Sequence, residues 1–477
     1  MPLVKQHEQQ DSFWKDRTPE KTELRNNDGS RLVVISGDEP KLAPHQYAQY
    51  IASAHNLQAD DRAFFVMHLD EIYTQMSRWR TSLPRVSPYY AVKCNNDPLL
   101  LRVLASLGCG FDCASKNEIE QILTDVRLPP SRIIYANPCK TSNYIRHAAK
   151  RGVNVMTFDN VDELYKVRQA HPNAQMILRI AVSDESAQCP LNIKFGCEPT
   201  QVADGLLKTA AEMGVPVIGI SFHIGSGARD ASAWTHGIAH ARRLFDVGHS
   251  LGHDMRVLDI GGGFVSVVDP NELLFEEAAA TINRALDEHF PAGSTEVDIV
   301  AEPGRFFAAT AFTLCCSVVA KTDVPASRIT QQDCDSEQLG RMYYINDGIY
   351  GSFNCILFDH QSVTAECLFP PSDETSYSHC SIWGPTCDGL DCVIKQTRLP
   401  LMCENDWIRF DNMGAYTMCA GSTFNGMPRP TVHYYASDKH CSDLSGLSTV
   451  QMNEVEFRSR SPSCESVNWT SGSDFSP

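Results

Sequence analysis

Lys93 closes the run Pro88-Tyr89-Tyr90-Ala91-Val92-Lys93 and is followed at once by Cys94-Asn95-Asn96-Asp97-Pro98. A lysine on the last residue of an aromatic, β-branched strand stands at the lip of a turn. Desolvation there lowers an amine's pKa and supplies the neutral nucleophile that a Schiff base needs. A single strand-end lysine is more often just solvated, so the surroundings must decide. Two glycine-rich stretches follow, His223-Ile224-Gly225-Ser226-Gly227 and Asp259-Ile260-Gly261-Gly262-Gly263-Phe264. Backbone amides approach a phosphate closely only where side chains are absent. Either stretch alone could be a plain tight turn. Together with Arg305, just past Glu302-Pro303-Gly304, they fit a phosphate cup. Neither has the context of a dinucleotide fingerprint. An amine, a phosphate cup and a strand-end carboxylate together suggest pyridoxal phosphate. Lys93 would hold its aldehyde, Glu302 would keep its pyridine nitrogen protonated as an electron sink, and His223 could stack on the ring. The structural alternatives are an ion pair of Glu302 with Arg305 and an ordinary strand-end role for His223.

These residues must be carried by regular elements. Between about residues 89 and 302 the chain alternates short apolar runs with amphipathic segments. The strand candidates are 89–93, 110–113, 133–136, 153–158, 176–180, 217–223, 256–260 and 298–302. Helices are expected between them, one opened by the capping-box pattern Ser115-Lys116-Asn117-Glu118 and one by Asn160-Val161-Asp162-Glu163. Eight strand–helix units in a row indicate an α/β fold, a TIM-like (β/α)8 barrel. A doubly wound open sheet is the alternative, because periodicity does not report closure. Barrel sites lie at the C-terminal strand ends, which here read Lys93, Asp112, Asn137, Asp159, Arg179, His223, the triple glycine and Glu302. After about residue 312, strand-like runs at 313–320, 341–345, 406–410 and 431–435 are separated by Gly, Pro and Asp turns, the pattern of a mainly β domain, sandwich- or barrel-like. The expected division is a disordered tail over 1–30, strand(s) joining the β domain within 31–66, a cofactor-binding barrel over 67–312, the β domain over 313–437 and a disordered Ser-rich tail over 438–477.

The formal charge of −17 argues against nucleic acid and anionic membranes as partners and mildly favours a cationic substrate. No apolar run is long enough to span a bilayer, and residues 1–30 carry no secretion signal. The 18 cysteines form no CxxC pair and no cluster with zinc spacing, so no metal is expected. They read as reduced thiols in the cytoplasm.

The chain resembles the eukaryotic ornithine decarboxylases of the alanine-racemase-like, fold-type III pyridoxal phosphate group. The likeness rests on Pro88 to Asn95, Gly110 to Ser115, Ile134 to Lys140, Phe222 to Gly227, Leu258 to Phe264, Ala301 to Arg305, Asn346 to Cys355, Trp383 to Asp391 and Met413 to Thr417. These stretches stand in family order over roughly residues 60 to 435. The resemblance implies that Lys93 carries the cofactor and that Asp112, Arg179 and His223 support it. It implies that Ser226, Gly262, Gly263, Arg305 and Tyr416 hold the phosphate and that Glu302 binds the pyridine nitrogen. Asp359 would bind the substrate's distal amine. Cys387, as proton donor, and Asp388 would enter the partner subunit's site, with Tyr350 and Phe424 as further substrate contacts. Lys194 and Asp391 would form a cross-subunit ion pair in a head-to-tail homodimer with shared sites. A regulatory protein of the antizyme type is a further implied partner, and the serine-rich extension would suit a fungal member. The expected reaction is decarboxylation of L-ornithine to putrescine, the first step of polyamine synthesis. Where the family usually continues Phe-Pro-Gly, this chain has Phe264-Val265-Ser266, which keeps open the same chemistry on lysine or a specialised amino acid. A catalytically silent regulatory homologue is the alternative of another class, disfavoured by the presence of Lys93, Glu302, Cys387 and Asp388.

Overall fold

The computed structural model describes residues 44–182, 187–188, 193–267, 273–293, 297–371 and 377–436, with the backbone of Lys21–Arg25 and Arg31–Ile35. Strands are numbered along the chain. β1 (Lys21–Arg25), β2 (Arg31–Ile35) and β3 (Phe64–His68) precede a barrel of eight parallel strands. These are β4 (Val86–Ala91), β5 (Gly110–Cys113), β6 (Ile133–Tyr135), β7 (Val155–Phe158), β8 (Gln175–Ile180), β9 (Val217–Phe222), β10 (Val257–Asp259) and β11 (Asp298–Ala301). The sheet closes where Ile299 of β11 pairs with Val86 of β4, so the open-sheet alternative falls. Both faces of most of these strands are buried, which is why they read as apolar runs rather than as alternating patterns.

Local chemistry fixes the turn that carries Lys93. Asp97 accepts hydrogen bonds from the amides of Leu99 (2.9 Å) and Leu100 (3.0 Å) and starts helix Pro98–Ser106, with Pro98 at its first position. The Tyr90 hydroxyl donates to the Asn95 carbonyl (2.9 Å), Asn95 Nδ2 donates to the Gly414 carbonyl (2.8 Å), and the Tyr434 hydroxyl donates to Asp97 Oδ2 (2.9 Å). Gly414 and Tyr434 belong to the β domain, so that domain braces the lysine turn directly. On helix Leu69–Ser82, Trp79 donates to the Val86 carbonyl (2.8 Å) and packs its ring on Phe264, Phe275 and Phe306. One buried indole thereby ties β4 to the segments after β10 and β11.

The β domain adds β12 (Phe312–Pro325), β13 (Leu339–Ile345), β14 (Ala365–Cys367), β15 (Ser378–Trp383), β16 (Cys392–Leu399), β17 (Trp407–Phe410) and β18 (Thr431–Ala436). With β1, β2 and β3 they make a ten-stranded sheet in the order β1-β2-β18-β3-β12-β13-β15-β16, with β17 and β14 branching from β12. Lys21–Arg25 departs from the expectation of a disordered stretch over 1–30. It pairs antiparallel with β2 from Lys21↔Ile35 to Arg25↔Arg31, and backbone pairing at a sheet edge needs no apolar alternation. The remainder of the two expected tails, 1–20, 26–30 and 438–477, lies outside the described residues.

Helix Pro44–Gln58 lays Tyr47, Ala48, Ile51 and Ala52 against this sheet in a small core with Phe64 and Trp407. His433 and His55 stand in the same core, 5.8 Å apart between ring centroids. Burial, then the neighbouring His55, pushes the His433 pKa down to about 4. An unfolded chain would bind that proton near pH 6.5, so the stabilisation is complete above pH 6.5 and disappears as pH falls through 4. Urea unfolding at pH 7.5 and 4.5 is expected to show a stability loss about 2–3 kcal/mol smaller in His433→Phe than in the unchanged chain. Parallel pH dependence in the two proteins would contradict this.

Candidate active site

Lys93 does not end its strand. β4 stops at Ala91, and Lys93 sits in a short 3₁₀ turn, Val92–Cys94, that throws its side chain over the barrel mouth. Its Nζ stands 2.5 Å from Asp112 Oδ2 at the end of β5. The side chain is 42% exposed. Crowding by the surrounding protein works against its charge, but Asp112, Tyr416 and Glu302 outweigh that, and the ammonium pKa is raised. This reverses the expectation of a lysine neutralised by desolvation. A carboxylate within hydrogen-bond distance favours the charged form more than partial burial disfavours it.

Behind this pair lie further carboxyls. Glu302, 8% exposed, follows β11, and its amide donates to the Gly261 carbonyl (2.7 Å). Burial and the charges of Asp259 and Asp112 push its pKa well above the usual carboxylate range. Asp259, on the last residue of β10 and fully buried, accepts from the Gly261 amide (2.9 Å) and is raised by burial as well. Two such carboxyls in one low-dielectric site do not both ionise readily. His223 follows β9. Its Nδ1 accepts from the Gly225 amide (3.1 Å), and burial with the charges of Arg179 and Lys93 keeps the imidazole neutral. Arg179 lies 5.5 Å over the Phe195 ring.

The two glycine stretches face each other. Gly225, Gly227, Gly261 and Gly263 all have positive φ, a backbone that glycine adopts without strain. A Cβ on Gly262 would lie 2.7 Å from His223 Nε2, and one on Gly263 would lie 3.0 Å from the Gly225 carbonyl. Arg305 opens the helix after β11. One of its nitrogens reaches Ser226 Oγ (3.4 Å), and its guanidinium lies 5.4 Å from the ring of Tyr416, a residue held at φ +56°. Arg305 also pairs with the carboxylate of Asp359. Asp112 Oδ1 and Arg305 Nε are buried without a hydrogen-bond partner among the described residues. A closely approached glycine cup, an arginine with an unused donor, and a lysine beside a half-used carboxylate fit pyridoxal phosphate.

The remaining expected residues form a separate group on the β domain. Tyr350 donates to Asp388 Oδ2 and holds that carboxyl below its ordinary pKa. The Tyr350 ring stacks on Phe424 at 4.4 Å. Cys387 is exposed, and its amide donates to Asn425 Oδ1 (3.3 Å). No described hydrogen bond, ion pair or ring contact joins this group to Lys93, Asp112, His223 or Glu302. Asp359, expected at the substrate's distal amine, pairs with Arg305 beside the glycine cup.

Asp391, expected in a cross-subunit ion pair with Lys194, is 1% exposed, and its carboxylate accepts from the amides of Ile349 (2.8 Å) and Thr386 (2.9 Å) and from Thr386 Oγ1 (2.6 Å). It buckles the turn bearing Tyr350 to the loop bearing Cys387 and Asp388. The Lys194 Nζ lies 5.0 Å over the Phe195 ring. The Val265-Ser266 departure lines a cleft of about 720 Å³ with Gln188, Arg305, His360 and Asp411, away from Lys93. Asn137 and Asp159 are structural, accepting from the amides of Cys139 (3.0 Å) and Gly196 (2.9 Å). The sequence points to no role for Asp259 beyond its signal as a charged residue ending a buried strand, and shows Glu118 only as a cap. The Glu118 carboxylate reaches the Ala114 amide (2.5 Å), and burial raises its pKa beside Asp112.

Residues 69–309 match the family model described as pyridoxal-dependent decarboxylase, pyridoxal binding domain. The chain is 48% identical to an ornithine decarboxylase of Caenorhabditis elegans over 415 residues, covering 86% of this chain and 97% of that protein. It is also 48% identical to antizyme inhibitor 2 of Xenopus laevis over 378 residues, 79% of this chain and 82% of that protein. Among solved structures, the arginine decarboxylase of Paramecium bursaria Chlorella virus superposes with a TM-score of 0.74 at 36% identity, over 82% of this chain and all of that one. Relatives of different named function lie at similar distance, so the site's own residues must separate them.

Asp112→Asn removes the nearest charge holding Lys93 protonated and leaves the opposing crowding in place. Reaction of the cofactor-free protein with pyridoxal at pH 8 is expected to accelerate about tenfold for each unit by which the lysine pKa falls. A rate unchanged or slower than that of the unsubstituted protein would show that Asp112 does not set the lysine's charge.

Proposed function

This chain belongs to the pyridoxal-dependent decarboxylase family, and we propose that it removes the α-carboxylate of L-ornithine to leave putrescine, the entry step of polyamine synthesis. The observation that carries this reading is the barrel mouth itself. Lys93, paired with Asp112 at 2.5 Å, stands with neutral His223 and buried Glu302 beside a two-loop glycine cup. When bound, pyridoxal phosphate supplies the electron sink for the bond to the departing carboxylate. Lys93 would hold it, Glu302 would face its pyridine nitrogen, and Ser226, Gly262, Gly263, Arg305 and Tyr416 would hold its phosphate. Neutral His223 offers a flat face without adding positive charge. The buried pair Asp259 and Glu302 keeps a proton on the inner wall of the mouth, where a carboxyl can share it with a basic nitrogen.

We read the working enzyme as a homodimer with shared sites. Cys387, Asp388, Tyr350 and Phe424 are arranged as a unit, yet among the described residues no hydrogen bond, ion pair or ring contact joins them to their own mouth. The β domain also exposes Leu357, Phe358, Leu390 and Phe424, with Phe358 73% exposed. In this reading Asp388 meets the substrate's distal ammonium, and the Cys387 thiol returns a proton to the carbon that lost the carboxylate. A negatively charged protein favours approach of a cationic substrate. A regulatory partner of the antizyme type accords with the antizyme inhibitor among the relatives. The free thiols among the described residues suit a reducing, cytoplasmic setting.

The direct test is carbon dioxide release from the purified protein with pyridoxal phosphate on ornithine, lysine and arginine. Turnover of ornithine is expected, with Lys93→Ala inactive. Cofactor binding without turnover of any of the three would support the silent homologue instead. Shared sites are tested by mixing. Lys93→Ala and Cys387→Ala chains are each expected to be severely impaired. Refolded together in equal amounts, they would regain about a quarter of the unsubstituted activity, because half the dimers are mixed and each mixed dimer has one intact site. No recovery above the separate chains would rule out the shared arrangement.

A further inference from the structure

Gln188 lies between β8 and helix Gln201–Glu212 and joins three parts of the mouth. Its amide donates to the Gly227 carbonyl at 3.0 Å. Its side-chain Nε2 donates to two consecutive carbonyls of the β domain, Asp359 at 2.8 Å and His360 at 2.9 Å. The fit against the glycine loop is close, since a Cβ on Gly227 would lie 2.8 Å from Gln188 Oε1. The base of the connection is fixed independently. Ala181 donates to the Cys197 carbonyl (2.7 Å), Cys197 donates to the Arg179 carbonyl (3.0 Å), and Gly196 donates to Asp159 Oδ2 (2.9 Å).

His360 explains why one amide reaches two neighbouring carbonyls. Its φ of +52° reverses the backbone just after helix Cys355–Phe358, a conformation that a non-glycine residue adopts at a cost and keeps only where its surroundings hold it. Asp359, immediately before, pairs with Arg305, and Arg305 reaches Ser226. A closed circuit results, running from the glycine loop through Gln188 to the backbone of Asp359, through its carboxylate to Arg305, and back to the loop at Ser226. The Asp359 carboxylate is therefore held from both its ends.

We propose that Gln188 is a positioning residue for diamine recognition, setting the distance between Asp359 and the phosphate loop and so the length of substrate that the site accepts. The inference rests on the decarboxylase reading and adds a specificity element to it. Without Gln188 the Asp359–His360 turn keeps its hydrogen bonds to Cys355 and its pair with Arg305 but loses the link from its carbonyls to the Gly227 loop. Asp359 can then follow Arg305 or solvent.

The test uses full-length holoenzyme with Gln188→Leu, which removes the donor, and Gln188→Glu, which keeps the size and sets an acceptor against two carbonyls. Cofactor content is read from visible absorbance, putrescine affinity from calorimetry, and KM and kcat from carbon dioxide release on ornithine and lysine. Loss of two hydrogen bonds is expected to raise the putrescine Kd and the ornithine KM about tenfold. Cofactor content and kcat should stay within about twofold of the unsubstituted enzyme, and the preference for ornithine over lysine should narrow. Unchanged Kd and KM in both variants would overturn the proposal. So would a joint fall in cofactor content, kcat and thermal stability with the substrate preference intact, the signature of a merely structural residue. Calorimetry separates the two levels of the argument. If the unsubstituted enzyme binds putrescine through Gln188 but does not turn over ornithine, the proposed reaction fails and the positioning role stands. If it binds no diamine, both fail.

Discussion

Three carboxyls and two cations confined to one end of a barrel set the terms for this site. Asp112, Asp259 and Glu302 are all at or below 8% exposure, and among the described residues Lys93 and Arg179 compensate Glu302. Charges in a poorly solvated mouth cannot be left unbalanced. Lys93 therefore remains an ammonium, while Glu302 and Asp259 are pushed toward holding a proton. His223, exposed to the same two cations, stays neutral. Protonation at this mouth follows from the set as a whole, and changing any one member shifts the others. Barrel closure imposes the set. Only a closed sheet brings the ends of β5, β10 and β11 together, although Asp112 and Glu302 are far apart in sequence.

That dependence explains what could and could not be read in advance. The eight barrel strands were legible because doubly buried strands leave apolar runs ending on a polar or glycine residue. Asp112 lies at such an ending, His223 and Glu302 just past one and Lys93 in the turn beyond another, and the fold brings them to one rim. The charge on Lys93 was not legible, because its controlling partner lies on the neighbouring strand at a 2.5 Å approach that no local pattern reports. Asp259 was hidden by its own motif, where the triple glycine drew attention from the acid before it. In the β domain, β15 and β16 escaped notice because their polar and charged residues, such as His379 and Lys395, break the apolar alternation that marks a strand. β1 was missed for the same reason, with Leu24 its only apolar residue.

The β domain contributes more than a cover. Gly414 and Tyr434 brace the turn that carries Lys93, and Tyr416 donates its amide to the Cys94 carbonyl (2.9 Å) one residue beyond the lysine. The lysine is thus held from both sides by elements more than 300 residues downstream. The same domain presents Cys387 and Asp388 on a loop buckled by Asp391. One domain therefore does two things, fixing the lysine of the mouth and holding a thiol and a carboxylate on a buckled loop.

Asp359 and Asp388 show how two acids of similar chemistry receive different tasks. Asp388 is half-buried, and its carboxylate accepts from the Tyr350 hydroxyl and the Leu390 amide (3.0 Å). Asp359 is buried against Arg305 and fastened through its backbone. An acid held that way cannot chase its ligand. It can only define a fixed point, and a fixed point near the phosphate cup measures the reach of whatever the lysine mouth holds. The Val265-Ser266 departure lines the cleft that Gln188, Arg305 and His360 also line. It can therefore touch selectivity through those residues. Discrimination between substrates differing by one methylene then rests on the rigidity of the Arg305–Asp359 unit and on the spacing between Asp359 and Asp388, since a hydrophobic wall alone separates such substrates by no more than about 1–3 kcal/mol.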